Sequence, residues 1–112
     1  MTVYIVQQTM RKRGGEFVPA FDLTPARKYG DLEYVLPYGV HATHPAMMLR
    51  TIRHALRNFK DEDYILMLGD PIACGVATCI AANNNRGRFR ALRWDKIARA
   101  YDSIEVDLHN GH

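Results

Sequence analysis

The stretch that decides the fold is Asp63–Gly87, DYILMLGDPIACGVATCIAANNNRG. Tyr64–Leu68 is an unbroken apolar run with no polar alternation, the pattern of a strand covered on both faces in the middle of an open α/β sheet. Gly69-Asp70 predicts a tight turn. Asp70 then serves as N-cap for orphan N–H groups of a helix, and Pro71 fits the first helical position, where no N–H is needed. That helix runs over Pro71–Ala82 and stops at the Asn/Gly run. It is apolar nearly all round and rich in small residues: Ala73, Cys74, Gly75, Ala77, Cys79, Ala81 and Ala82. The expectation is a helix buried on every side and lying close to a sheet, so that Gly75→Leu would overpack it at a cost of ~1–3 kcal/mol or more.

Upstream, Thr2–Thr9 has apolar residues on both faces and reads as a first strand inside the sheet. Met10–Gly15 is a basic tip ending in Gly-Gly, a hairpin signal, and Glu16–Phe21 is its return strand, confined to an edge by Pro19. Thr24-Pro25 opens a short helical turn that Gly30 stops. Asp31–Leu36 is a strand, and Gly39–His44 a loop. Pro45–Phe59 is an amphipathic helix, with Met48, Leu49, Ile52, Leu56 and Phe59 on one stripe. Arg88–Trp94 and Tyr101–Leu108 form a closing antiparallel hairpin across Asp95–Ala100, and His109–His112 frays.

The order is β-β-short α-β-α-β-α-β-β. It predicts one α/β domain over residues 1–112, with a mixed sheet, two crossover helices, a parallel centre and antiparallel edges. The chain is 112 residues long with a net charge of +3, which permits an acidic or nucleic-acid partner without demanding one. No run approaches the ~20 apolar residues of a membrane span, and the alternating N-terminus reads as a strand rather than a signal peptide. Cys74 and Cys79 lie about 140° apart around a helix, so they cannot easily bridge each other, and they match no zinc spacing. Two buried thiols and a cytoplasmic chain are expected.

Three sets of residues are candidate sites. In an open parallel sheet, ligands bind beyond the carboxyl ends of the strands, where Tyr38, His41, His44, Gly69 and Asp70 would meet beside two helix N-termini suited to a small anion or nucleotide. Plain loop-and-cap structure is the competing reading, since Asp70 already fills the cap and no phosphate loop is present. His41 and His44 are not at the i, i+4 spacing of a helical metal pair, and neither metal nor cofactor is expected. A second set, Arg86, Arg88, Arg90, Arg93, Trp94 and Arg99, gathers arginines around the only tryptophan of the chain. These are the residue types most enriched at binding hot spots. Alternatively Trp94 anchors the hairpin core while the arginines pair with Glu105 and Asp107 across the strands. The third set is a helical stripe of Arg50, Arg53, His54 and Arg57, which together with the basic hairpin offers a nucleic-acid surface or is simply a solvated helix face.

The segments FDLTPARKYGDLEYVLP and DEDYILMLGDPIACGVATCIAANNNRGRFRALRWDKIARAY resemble small uncharacterised proteins encoded by tailed bacteriophages. The points of similarity are the DEDY lead-in, the LGDP turn, the NNN-x-G-R-F exit and the L-x-W-D that follows. The resemblance carries no activity onto particular residues. It implies a small protein made in the host cytoplasm that binds a host or phage protein, itself, or nucleic acid, and does not catalyse a reaction. No serine elbow, activated cysteine or zinc motif argues for an enzyme.

Overall fold

The computed structural model describes residues 1–39 and 44–110. Five strands form the main sheet: β1 (Thr2–Gln7), β4 (Asp31–Leu36), β5 (Tyr64–Leu66), β6 (Arg88–Asp95) and β7 (Ala100–Asp107). They lie in the order β4-β1-β5-β6-β7. The first four are parallel and β7 returns antiparallel. The mixed α/β class with a parallel centre is therefore as expected, and the Asp63–Gly87 stretch supplies its middle strand. The strand itself is shorter than the apolar run, because pairing ends at Leu66.

Two helices, α1 (Pro45–Ala55) and α2 (Pro71–Asn84), lie on one face of this sheet. Both connections step in one direction across the sheet, from β4 past β1 to β5 and then to β6, so crossovers of one hand place them on one side. Tyr4, Val6, Ile65, Ile52, Leu56 and Ala77 fill the interior between sheet and helices. The connection from β1 to β4 steps the other way, and its 3-10 helix (Thr24–Tyr29) covers the opposite face over Val3, Ile5, Leu66 and Leu92. Six residues of 3-10 helix cover far less sheet than two α-helices. The second layer is accordingly thin.

The α2 cap behaves as the sequence chemistry dictates, whereas the short helix opened by Thr24-Pro25 has Leu23 at its N-cap position and no side-chain cap bond. The Asp70 carboxylate accepts from the Ala73 N–H at 3.1 Å, with Pro71 next to it at the helix start. At the far end of α2, Asn84 Nδ2 donates to the Leu56 carbonyl at 3.0 Å, and buried Asn85 donates to Asp61 Oδ1 and the Arg88 carbonyl. The Asn run is thus a set of ties between α2, the end of α1 and β6 rather than a mere stop signal. Asp63, also buried, accepts from the N–H groups of Thr2 and Lys60 and pins the start of β1 to the α1–β5 turn.

Four expectations need correction. Helix α2 is not buried all round: Ala73, Cys74, Ala77, Ala81 and Ala82 face the core, while Ile72, Gly75 and Cys79 face outward. A Cβ on Gly75 would meet nothing within 4 Å, so the site is open and not a close contact. Of the two thiols only Cys74 is buried, and burial pushes its pKa up. The basic hairpin, β2 (Met10–Arg13) with β3 (Glu16–Pro19), is a separate two-stranded arm and not an edge of the main sheet. At the other terminus, His109 and Asn110 form a turn held by the Asp107 carboxylate, whereas the expected fraying of residues 111 and 112 lies outside the described residues.

Candidate functional site

The carboxyl edge of the parallel strands offers two gaps, one on each side of β5. The gap between β1 and β5 is the topological switch point, where connections leave toward opposite faces. It is filled. Gln7, the last residue of β1, turns its side chain into the gap, where Oε1 accepts from the Asp70 N–H at 2.8 Å. Gly69 sits directly on it with φ +113, and a Cβ there would come within 2.4 Å of Gln7 Cβ. Only glycine fits that backbone and that space. Gln8 closes the neighbouring gap in the same way, its Oε1 accepting from the Tyr38 N–H at 2.8 Å.

The candidate ligand edge is therefore a mesh of side-chain ties. Tyr38 is exposed and packs against Phe17 of the arm, with ring centroids 5.6 Å apart. Asp70 is engaged as the α2 cap. His44 precedes α1 as its N-cap residue without a side-chain capping bond, and His41 lies outside the described residues. Among the described residues, no group of three or more His, Cys, Asp or Glu side chains is placed to hold a metal ion.

On the other side of β5 the gap is open. After Leu66 the chain bends sharply, the Leu68 N–H bonding back to the Leu66 carbonyl while the Leu68 carbonyl accepts from the Gln7 N–H, both at 3.0 Å. These two bonds draw the end of β5 toward β1 and away from β6. Pairing with β6 ends at Leu66–Leu92, so Arg93–Asp95 run on with β7 alone. The result is a notch of about 630 Å³, with Leu66, Leu92 and Tyr101 among its walls and Phe21, Met67 and Trp94 standing at the rim. Burial pushes the Tyr101 hydroxyl pKa up, with the charge of Asp22 adding to it.

Trp94 is 42% exposed and meets Tyr101 edge-on, with centroids 5.0 Å apart. It sits on the wall of the notch, not in the core. Just beyond it, the Asp95 carboxylate accepts from the N–H groups of Ile97 and Ala98 and fixes the β6–β7 turn. That turn holds Ile97 outward at 96% exposure. Phe21 at 56% and Met67 at 44% are exposed with Trp94 on the notch, while Ile97 is exposed on the turn beyond it. Sequence reasoning found Trp94 and missed the other three. The available signal was an isoleucine inside a predicted turn, where polar residues are usual.

The arginines around Trp94 do not gather on it. Arg88, Arg90, Leu92 and Trp94 alternate onto one face of β6 and Arg93 points to the other. Arg86 and Arg99 occupy turns with φ of 57° and 54°. Arg88 forms an ion pair with Asp61 at 3.1 Å, and the Arg90 guanidinium lies 4.1 Å from the centre of the Tyr64 ring. Neither makes an ion pair with Glu105 or Asp107 among the described residues, although the register sets them opposite. For Asp107 the reason is local: Asn110 Nδ2 donates to it at 2.7 Å, which with two backbone N–H groups and the nearby Arg88 charge holds its carboxyl below the usual range. The expected helix ends at Ala55 and not Phe59, so of the basic stripe, all exposed, Arg50, Arg53 and His54 lie on α1 and Arg57 lies on the turn after it. No helix among the described residues is long and apolar enough to cross a membrane.

Fold and site together define a small open-sheet α/β protein whose switch-point crevice is plugged by its own side chains and whose apolar opening lies one strand away. The chain belongs to the family of phage Pam3 gp32-like proteins, whose model matches residues 1–108. No curated protein and no solved structure matches it.

Proposed function

We propose that this chain is a phage accessory protein, made in the host cytoplasm, that works by binding another protein, host or phage, and is not an enzyme. The docking surface is the notch beside β6, with Trp94 as its anchor, and it extends to Ile97 on the adjoining β6–β7 turn. The observation that carries this reading is the apolar rim: Phe21, Met67 and Trp94 are all exposed around one opening, and Ile97 is exposed on the turn that follows Trp94. Aromatic and methionine side chains are enriched at interface centres, since each gives a large contact area. A solvated hairpin end gains nothing from them.

The test is affinity capture from phage-infected lysate, with nuclease present, comparing the parent with Trp94→Ala at matched melting temperature. A partner that is retained by the parent and lost by the variant supports the reading. A partner retained equally by both removes Trp94 from the interface. Blue-shifted emission of the single tryptophan on adding the purified partner gives an independent readout, because desolvating Trp94 changes its surroundings.

Nucleic acid is the second reading, and a different element favours it. Arg11, Lys12 and Arg13 are exposed along β2 of the projecting arm and make no ion pair among the described residues. A two-stranded ribbon fits a major groove. Affinity resting on such contacts falls steeply with salt through counterion release, whereas docking at an apolar notch does not.

A further inference from the structure

The helix layer carries a second unpartnered surface, far from the notch and independent of it. Helix α2 contains no charged residue in its 14 positions. Its outward side nevertheless faces solvent, with Ile72 67% exposed and Gly75 and Cys79 following on the same stripe. Positions 72, 75, 76, 79 and 83 recur at the spacing of one helical face. Leu49 of α1 closes the other side, and between the two helices runs a broad groove of about 970 Å³ whose apolar walls include Leu49, Ile72, Val76 and Ile80. Arg53 of α1 and Arg57 of the turn after it stand on the Leu49 side, and no acidic side chain lines the groove. Arg50, Arg53 and Arg57 make no ion pair among the described residues.

We propose that this groove receives an amphipathic helix with acidic flanks from a partner protein. An apolar groove between two helices is the standard receptor for a helix bearing apolar residues at i, i+3 or i+4, and i+7. Gly75 and Cys79 keep the floor low, so a helix can lie close. The rim decides the charge of the occupant. Rim charges of one sign select a partner of the other and suppress wrong ones. A second copy of this chain brings the same basic rim and an uncharged α2, with no acid for Arg53 or Arg57. A nucleic acid would lay phosphates over Ile72 and Val76, where there is neither a cation nor an aromatic ring to receive them. Acidic helix flanks satisfy both wall and rim.

Cys79 reports on the groove directly, since it is exposed on the floor while Cys74 is buried. The full-length protein is alkylated with iodoacetamide in the presence of a synthetic 18-residue helical peptide carrying a leucine stripe and glutamate flanks. Cys79 modification is followed by mass spectrometry. The peptide is expected to slow alkylation at least about tenfold at saturation, while lysine-flanked and serine-striped versions protect weakly. The double variant Arg53→Glu, Arg57→Glu should invert the preference, favouring the lysine-flanked peptide. Both positions are exposed, and the circular dichroism of the variant should match the parent. Failure of the acidic peptide to protect Cys79, or equal protection by the lysine-flanked one, overturns the proposal. So does protection by duplex DNA alone, or a dimer in solution that Ile72→Glu dissolves, which would make the occupant a second copy.

Discussion

The two gaps flanking β5 share a strand, a sheet edge and a direction, yet one is shut and the other open. Between β1 and β5, Gln7 fills the space and bonds to the Asp70 N–H, with Gly69 pressed against it. Between β5 and β6 the opening remains, lined mainly by apolar groups. The cause is a single bend. By bonding Leu68 to Gln7, the chain after β5 leans to one side, closing that gap and widening the other. Topology nominates a crevice; the last residues of the strands determine whether it can hold anything.

Variants can break this contrast at several levels, and the largest effect belongs to the floor of the notch. Leu92→Ala removes a side chain only 1% exposed and should cost about 2–5 kcal/mol, the range for truncating a buried leucine, read by chemical denaturation. A loss below about 1 kcal/mol would mean the floor is not packed as described.

The closed gap comes next. Gln7→Ala leaves the part-buried Asp70 N–H without its partner, a loss of about 1–2 kcal/mol, the lower part of the range for an unsatisfied group. Gly69→Ala should be comparably damaging, both because its Cβ would collide with Gln7 and because φ is +113. The double variant separates those causes. Steric conflict with Gln7 predicts that the two losses add to less than their sum, and strict additivity would leave only backbone strain.

Trp94→Ala is expected to cost about 1–2 kcal/mol, from the edge-on pair with Tyr101 together with the part of the ring the fold buries. A core tryptophan would cost about 3–5 kcal/mol. A thermal melt thus distinguishes a wall residue from an anchor, and a loss in the higher range would transfer the proposed docking surface away from Trp94.

How much of this could be read from the chain depends on how local the cause is. The Asp70-Pro71 cap, the apolar middle strand and the β6–β7 hairpin are set within a few residues, and each is legible. The outward face of α2 is not, because a helix of uncharged small residues gives no angular signal of which side the sheet takes. Gly75 is the clearest instance: composition suggests a tight contact, and the structure leaves it in the open. Gly75→Ala should therefore raise stability, by the ~0.5–1 kcal/mol that separates glycine from alanine in a helix, where a buried contact would show a loss. The candidate site was legible only at Trp94. Phe21 and Met67 reach the notch from other parts of the chain, and the bend that opens it depends on a bond between Leu68 and Gln7, residues 61 positions apart.

The smallest effect on stability, and the sharpest test of the open gap, is Ile97→Ser. Ile97 is 96% exposed at the tip of a turn whose geometry is set by Asp95 and two backbone N–H groups, so the side chain contributes little to folding. Surface changes of this kind normally stay within about ±0.5 kcal/mol, and serine suits a turn better than a β-branched apolar residue does. Stability should be unchanged or slightly raised. Partner capture should nonetheless drop where the docking surface extends from the notch to this turn, because removing an exposed isoleucine deletes contact area that only an interface buries. Loss of capture with unchanged melting assigns the hairpin tip to binding. Unchanged capture confines the interface to Phe21, Met67 and Trp94, and makes Ile97 an apolar residue that merely happens to face water.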